Sequence, residues 1–357
     1  MKPTLIAIVK NEENNIVRCL ESCSHLFDRF VINSSGTTDD TVKVGTEWME
    51  ANGKTGLWIS PEWKGAADAL NICIDQAKLL ESEWVLRIDA DMVAEGGLPE
   101  LKKLDEQVTA LDIPMLRTDG SFISHRPFLF KPDFSRYVGV RHEGLHTAQR
   151  EHQTELRLLH HADSGARPRE SQTYIDDFTA MFNELPNETN DDLIRRYVFY
   201  MANSARDAGD LFTAAVWFRV RQLMGGYNAE VSVSCREHAL IANDEEFWLK
   251  AVFENLDRAD IVYWALAVSE QYGKAFKATV LDLAQPSMWK QGVMFLQDDY
   301  LWKAGHLMIL ALCEMSRFDE ARELFNRVSE FPGADLEVLS ASIPSVLTER
   351  LMKMEEE

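Results

Sequence analysis

Short apolar runs alternate with helical segments through the first hundred residues, and this alternation constrains the fold more than any other feature. The runs are rich in β-branched and aromatic side chains, which favour strands. Buried strands separated by helices indicate a parallel sheet with helical crossovers. The predicted strands are residues 5–9, 30–32, 57–60 and 84–88, and the predicted helices are residues 14–23 and 65–80.

Polar clusters follow three of these predicted strands. In a parallel α/β sheet the ligand crevice lies at the carboxyl ends of the strands, so we expect the three clusters to converge on one place. Taken singly, each cluster also fits a helix cap or a solvated loop. The clusters are Lys10-Asn11-Glu12-Glu13, residues 34–41 (SSGTTDDT) and Asp89-Ala90-Asp91.

Asp89-Ala90-Asp91 places two carboxylates where the run Trp84-Val85-Leu86-Arg87-Ile88 stops. Residues two apart on a strand point to the same side, so both carboxylates can reach one ion. Hard oxygen ligands suit Mg²⁺ or Mn²⁺, and these ions usually bind together with a phosphate. The alternative interpretation of the same three residues is a solvated surface turn.

The net charge limits the classes of partner. The chain has 58 acidic and 37 basic residues, a formal charge of −21. Nucleic acids and anionic membranes are therefore disfavoured, because both require a basic surface. A phosphate-bearing ligand needs a metal ion or a few local Arg and Lys side chains to offset this charge, which again favours an ion at Asp89 and Asp91.

The cysteines and the hydropathy pattern predict a soluble intracellular protein. The five cysteines are widely spread and lack zinc-site spacing, so we expect reduced, structural thiols and a cytoplasmic location, the host cytoplasm if the chain is viral. The opening apolar run is too short for a signal peptide. No apolar stretch approaches the roughly 20 residues of a transmembrane helix, so we expect no transmembrane segment.

From about residue 191 the sequence changes to helices with small residues at recurrent positions. Two stretches read as a helix, a turn and a second helix, and they resemble tetratricopeptide repeats. Pro168 and Pro186, which precede these helical stretches, interrupt the periodic pattern of apolar residues. We therefore predict an α/β domain of residues 1–175 and an all-α helical-repeat domain of residues 176–357. The two stretches are residues 196–218 and 308–325.

Beyond these patterns, the chain resembles the family-2 glycosyltransferases of the GT-A fold, specifically bacterial and viral members with a tetratricopeptide-like C-terminal part. The resemblance covers nearly the whole chain, and it rests on the order and spacing of the motifs together. The motifs are LIAIVKNEENNIVRCLES, SSGTTDDT, WKGAADALN, WVLRIDAD, RPFLFKP, YVGVRHE, HHADSGAR, RRYVFYMANSARDAGD and RQLMGGYNAE.

The resemblance implies a nucleoside-diphosphate sugar, a UDP-sugar or a GDP-sugar, lying across the carboxyl ends of the strands. It also implies a divalent metal, Mn²⁺ or Mg²⁺, that stabilises the leaving diphosphate. In this interpretation Asp91 ligates the ion and Asp89 lies between ribose and metal. The other implied donor contacts are Lys10, Asn11, Glu12, Asp39, Asn71 and Arg167.

His142-Glu143 matches a His-Glu pair of the same family. His142 is a candidate metal ligand, and Glu143 is a candidate base that takes the acceptor's proton in an inverting displacement. Adjacent strand residues point to opposite faces, so both can serve one site only if the strand ends there. Asp119 is the reserve candidate for the base, and His161 is the alternative metal ligand.

Some positions depart from the family pattern and leave the donor open. They are Ser34 in place of a common Asp, Leu70 in place of a common Arg, and Met92 in place of a common acidic residue. The acceptor, a glycan, a protein or a small molecule, is also open, as is assembly into a homo-oligomer. The competing functions are a nucleotidyltransferase and a non-catalytic helical scaffold with a vestigial nucleotide-binding domain. A nucleotidyltransferase is disfavoured because no early Gly-rich basic segment is present to cradle phosphates.

Overall fold

The computed structural model forms two compact units, Met1–Glu188 and Thr189–Glu357. The boundary predicted between residues 175 and 176 falls inside a helix of the first unit, Ser171–Glu184. The structure describes residues 3–153, 155–161, 170–243, 245–254, 256, 258–289, 299–331 and 334–342.

The first unit is built on a mixed sheet. Its strands are β1 Thr4–Ile8, β2 Arg29–Asn33, β3 Thr55–Ile59, β4 Val85–Arg87, β5 Met92–Gly96, β6 Val108–Arg117, β7 Phe122–Phe130, β10 Gln149–His152 and β11 Leu156–His160. They run in the order β3-β2-β1-β4-β7-β6-β11-β5, with β10 also beside β6. A separate two-stranded sheet pairs β8 Arg136–Val138 with β9 Gly144–His146. The first four strands are parallel, which confirms the predicted sheet.

Helices cross over between the parallel strands. They are α1 Ile16–Cys23, α2 Thr41–Ala51 and α3 Ala66–Leu79, and α4 Ser171–Glu184 follows the sheet. The predictions for α1 and α3 are confirmed. The apolar pattern did not predict α2, whose first residues, Thr41, Val42 and Val44, include β-branched side chains that favour strands.

The parallel strands β1, β2 and β4 are buried on both faces, which explains why they read as continuous apolar runs, whereas β3 is a partly exposed edge strand. Leu5 and Ala7 of β1 pack into one layer of the core, together with Ile16 of α1. Ile6, between them, packs on the opposite face against Leu70 of α3. β1, β2 and β4 are therefore each packed from two sides, and their carboxyl ends are fixed relative to one another.

The second unit is helical in all of its described elements. The helix–turn–helix form predicted for residues 196–218 is confirmed by helices Asp191–Asp207 and Leu211–Leu223. Gly209 between them has a left-handed backbone, and Asp210 caps the second helix by accepting from the backbone N–H of Thr213. The form predicted for residues 308–325 is also confirmed, by helices Asp299–Glu314 and Phe318–Val328, while the likeness to tetratricopeptide repeats stays a prediction. The helices are α5 Asp191–Asp207, α6 Leu211–Leu223, α7 Asn228–Ala242, α8 Glu245–Glu254, α9 Ala259–Ala267, α10 Lys274–Leu283, α11 Asp299–Glu314, α12 Phe318–Val328 and α13 Leu336–Ser342.

Among the helices that the structure describes, none is both long enough and apolar enough to cross a membrane.

Candidate active site

A cavity of about 530 Å³ opens in the first unit beside the carboxyl ends of β1 and β4. It collects titratable side chains from five separate stretches of the chain. These are Glu12 after β1, Asp89 and Asp91 after β4, Arg141, His142 and Glu143 between β8 and β9, His160 at the end of β11, and Asp176 and Asp177 of α4. Apolar and small residues complete the described wall: Ile8, Trp63, Ala66, Ala90, Val140 and Thr173.

A larger cavity, of about 830 Å³, lies in the second unit against α10, α11 and α12. One of the cations in its lining, Arg317, already forms ion pairs with Asp282 and with Glu320. We take the smaller cavity as the candidate active site, because it gathers the side chains that can hold a metal and move a proton.

The loops that follow β1 and β2 are joined by hydrogen bonds. Asn11 Oδ1 accepts from the backbone N–H of Thr38 at 2.9 Å, and Asp39 Oδ2 accepts from the backbone N–H of Glu13 at 3.2 Å. The backbone N–H of Glu12 donates to Thr41 Oγ1 at 2.7 Å. Asn11 has a left-handed backbone, with φ 56°. The two predicted clusters that follow β1 and β2 are therefore joined by hydrogen bonds. Of their residues, Glu12 also lines the cavity.

Asp39 is the centre of this connection. Burial alone would raise the pKa of its carboxyl, but hydrogen bonds from Thr41 and from the backbone of Glu13 outweigh that effect and lower it. Asp39 is thus a charged hydrogen-bond acceptor that joins the loop after β1 to the loop after β2.

The two carboxylates of Asp89-Ala90-Asp91 have different partners. Arg87 Nη2 lies 3.2 Å from Asp89 Oδ1. Asp91 Oδ2 lies 3.3 Å from His160 Nε2, with both side chains partly exposed to the cavity. Asp89 is thus neutralised by a guanidinium, whereas Asp91 is paired with an imidazole that can itself ligate a metal.

The two neighbouring histidines of β11 and the loop after it are placed differently. The side chain of His160 meets Asp91, whereas His161 donates its backbone N–H to the Asp91 carbonyl oxygen at 2.9 Å. Burial lowers the pKa of the His161 imidazole, and the positive charge of Arg18 lowers it further. The negative charge of Asp91 acts in the opposite direction and raises the pKa of His161.

His142 and Glu143 both line the cavity. The strand β8 ends at Val138, and His142 has a left-handed backbone with φ 52°, so the alternation of an extended strand is interrupted here. This is the condition under which two adjacent residues can serve one site. Glu143 Oε1 lies 3.2 Å from Arg87 Nη2.

Several predicted site residues are placed away from the described wall of the cavity. The amide of Asn71 donates to the carbonyl oxygen of Tyr137 and accepts from its backbone N–H, both at 2.9 Å. Asp119 lies in the exposed turn between β6 and β7, where a hydrogen bond from Ser121 lowers the pKa of its carboxyl. Lys10 is exposed at the end of β1, and Arg167 lies outside the described residues.

Two of the departures from the family pattern have a structural explanation. Leu70 and Met92 are both buried in the core, at 0% and 4% exposure, and neither belongs to the described lining of the cavity. The hydroxyl of Ser34 donates to the carbonyl oxygen of Ile59 at 3.3 Å, and the residue is also buried.

Arg87, His160 and Trp63 were not predicted from the sequence as site residues. Arg87 stands two residues before Asp89, so the same-side rule for strands could have identified it. The choice of His160 over His161 depends on the pairing of β11 with β5, in which His160 lies opposite Met92, and a local pattern does not encode that pairing. Trp63 is 50% exposed at the cavity, and exposed aromatic rings are common in loops without such a role.

The side chains around Asp91 bear on the divalent metal that the sequence implies. Within the described ranges, no three His, Cys, Asp or Glu side chains are grouped closely enough to enclose an ion. The Asp91–His160 separation of 3.3 Å nevertheless suits two adjacent ligands of an octahedral ion, which are about 3 Å apart. Mg²⁺ and Mn²⁺ commonly take one or two protein ligands and complete their shell with water and phosphate. The residues therefore fit a metal that binds together with a diphosphate.

Comparison with known proteins gives a family and distant structural likenesses. The sequence model of the family described as Glycosyl transferase family 2 matches residues 4–182. The crystal structure of S. aureus TarS is 14% identical with a TM-score of 0.38, covering 72% of this chain and 55% of that chain. A structure of S. aureus TarS 1-349 in complex with UDP-GlcNAc gives 14% and 0.38, covering 69% and 89%.

A third solved structure is glucosyl-3-phosphoglycerate synthase from Mycobacterium tuberculosis in complex with Mn²⁺, UDP and phosphoglyceric acid. It is 20% identical with a TM-score of 0.26, covering 33% of this chain and 44% of that chain. The chain thus spans about half the length of the first TarS structure. A search of curated proteins gave no match.

Proposed function

We propose a function that proceeds from one premise: the chain belongs to glycosyl transferase family 2, whose model matches half of it. The proposed activity is metal-dependent transfer of a sugar from a nucleoside-diphosphate sugar, a UDP-sugar or a GDP-sugar, to an acceptor hydroxyl with inversion. The observation that carries it is the cavity in which Asp91, His160, His142 and Glu143 meet.

The proposed chemistry is a single displacement. The acceptor oxygen forms a bond to the anomeric carbon while the bond from that carbon to the diphosphate oxygen breaks. A divalent ion, when bound, stabilises the negative charge that develops on the leaving diphosphate. Asp91 and His160 would hold that ion, with Asp89 and His142 beside them in the same cavity.

Glu143 is the proposed base that takes the acceptor's proton. It lies in the cavity with a side chain that is 15% exposed, so it is both accessible and fixed by Arg87. Asp119 is the weaker candidate, because it lies in an exposed turn and its hydrogen bonds from Ser121 lower its pKa and hence its basicity.

The test is release of nucleoside diphosphate from a panel of UDP- and GDP-sugars in the presence of Mn²⁺. We expect release with at least one donor, and we expect Asp91→Ala to lower it about 100-fold or more. Asp133→Ala is the matched control, since Asp133 is an exposed partner of Lys78 outside the cavity lining. Equal release by wild type and Asp91→Ala would overturn the metal site.

The same assay separates the competing functions. A nucleotidyltransferase would release pyrophosphate from a nucleoside triphosphate instead of a nucleoside diphosphate from a sugar donor. A helical scaffold with a vestigial first domain would bind no nucleotide in a metal-dependent way, which a thermal-shift screen of nucleotide-sugars with Mn²⁺ detects, because a ligand of the native state raises its melting temperature.

A further inference from the structure

Arg87 is a buried cation shared by two carboxylates that come from distant parts of the chain. Its Nη2 lies 3.2 Å from Asp89 Oδ1 and 3.2 Å from Glu143 Oε1. The side chain of Arg87 is 13% exposed, whereas that of Asp89 is 32% exposed and faces the cavity. The guanidinium thus lies behind the two carboxylates that line the cavity wall.

The guanidinium of Arg87 also packs against an aromatic ring. It lies over the ring of Tyr137, with 5.3 Å from Cζ to the ring centroid. Tyr137 is 4% exposed, and its backbone is bonded in both directions to Asn71 of α3. Arg87 therefore links three fixed elements, β4, β8 and α3, to the loop that carries Glu143.

The charge around Arg87 explains why one cation is needed there. Burial opposes a charged guanidinium, but Asp89, Tyr137 and Glu143 together raise the pKa of Arg87, so it stays protonated. Asp89 and Glu143 contact the same nitrogen, so without Arg87 they would face each other as two like charges in a partly dry cavity. Like charges held close together repel, and Glu143, which lies in the connection between β8 and β9, has no regular strand to hold it in place.

We propose that Arg87 is a positioning residue of the transfer site: it orders Glu143 beside the sugar donor and restrains Asp89, leaving Asp91 and His160 to take the metal. This inference rests on the proposed function. It assigns Arg87 no contact with the donor, since its Nη2 already bonds to two carboxylates. The expected consequence is that loss of Arg87 slows the chemical step more than it weakens donor binding.

The test compares Arg87→Met, Arg87→Lys and the wild type, using the sugar donor that the wild type turns over. We expect Arg87→Met to lower kcat about 30-fold or more, since displaced catalytic groups cost up to 100-fold. The donor KM should change by less than about threefold, because Arg87 is assigned no contact with the donor and its loss leaves binding of the ground state unchanged. Arg87→Lys retains one positive charge, and it should recover at least about fivefold of the lost kcat.

A second readout does not depend on turnover. Mn²⁺ alone is titrated calorimetrically into wild type and Arg87→Met. Because removal of a cation beside Asp89 makes the site more negative, we expect Mn²⁺ to bind at least about threefold more tightly to Arg87→Met. A residue that only maintained the fold would weaken Mn²⁺ binding or leave it unchanged when lost.

The control is Arg157→Met, which removes an exposed ion pair with Glu95 in the same sheet. Circular dichroism and the melting temperature check that each variant folds, and Arg87→Lys keeps the test valid if Arg87→Met does not. The proposal is overturned if Arg87→Met turns over normally, if its donor KM rises as much as its kcat falls, or if its Mn²⁺ affinity drops or stays unchanged. Absence of turnover and of Mn²⁺ binding in the wild type would instead refute the proposed function.

Discussion

At the scale of single residues, the two aspartates of the predicted metal motif have different partners. Asp89 has a guanidinium within 3.2 Å, whereas Asp91 has an imidazole at 3.3 Å. A cation next to a carboxylate competes with a metal for its oxygens, and an imidazole can bind the metal beside it. In the proposed site, Asp91 and His160 are therefore better candidates for metal ligands than Asp89.

The neighbouring histidines provide a matched pair of variants. We expect His160→Ala to weaken Mn²⁺ binding about tenfold, because it removes a ligand, and His161→Ala to weaken it less than about threefold. Calorimetric titration of Mn²⁺ in the presence of UDP or GDP measures both. The reverse ranking of the two variants would show that His161, the residue predicted from the sequence, is the ligand.

Asp39 supplies a prediction about pH. Its pKa in the folded protein lies below its ordinary value of 3.8, so its stabilising effect is complete above that value and is lost as the pH falls through the lower, folded pKa. We expect Asp39→Asn to lower the free energy of unfolding at pH 7 by about 1 kcal/mol or less, since the group is partly exposed. Urea unfolding at pH 7 and at about pH 3 should show the difference shrinking in acid. An equal difference at both values would contradict the assigned role.

At the scale of elements, the structure depends on close approaches that only glycine permits. Gly45 of α2 faces Trp58 of β3, and a Cβ built at residue 45 would lie 2.6 Å from the Trp58 ring atom Cζ2. A rigid indole cannot move aside as the end of a flexible chain can. The absence of a Cβ at Gly45 thus allows α2 to pack closely on the edge of the sheet, next to the loop that carries Asp39.

We expect Gly45→Ala to lower the free energy of unfolding by about 1–3 kcal/mol, the usual cost of overpacking. Gly97→Ala is the matched control, because a Cβ at Gly97 would have no atom within 4 Å. Chemical denaturation of both variants measures the difference. If Gly45→Ala were as stable as Gly97→Ala, the close approach of α2 to Trp58 would be wrong.

Local patterns were sufficient to predict the elements whose apolar residues are contiguous in sequence. The runs that became β1 to β4 are each bounded by polar residues, and the strand-end rule then brought Glu12, Asp89 and Asp91 to one cavity. The pairing of β11 with β5 and β6 was beyond such patterns, because it joins residues far apart in the chain. That pairing decides which histidine meets Asp91.

At the scale of the whole molecule, the charge of −21 acts against any anionic ligand. The described lining of the cavity adds to this field, with Glu12, Asp89, Asp91, Glu143, Asp176 and Asp177 against Arg141, whose Nε is bonded to Asp177 at 2.8 Å. A nucleoside diphosphate can enter such a field only if a cation accompanies it or if salt screens the repulsion.

We therefore expect metal-free binding of a nucleoside diphosphate to strengthen with salt, about twofold or more between 20 and 200 mM NaCl, as the screening length shortens. The uncharged nucleoside should show no such trend and serves as the control. Equilibrium titration measures both. Weaker diphosphate binding at higher salt would indicate a site dominated by Arg and Lys, contrary to the described lining.

The most direct test of the central claim is calorimetric titration of UDP and GDP into wild type and Asp91→Asn, with and without Mn²⁺. We predict that at least one of the two nucleotides binds wild type at least about tenfold more tightly with Mn²⁺ than without it, and that in Mn²⁺ Asp91→Asn binds it about tenfold more weakly or worse. Equal binding with and without Mn²⁺, or Mn²⁺-dependent binding that is equal in the two proteins, would contradict a metal-dependent glycosyltransfer site at Asp91.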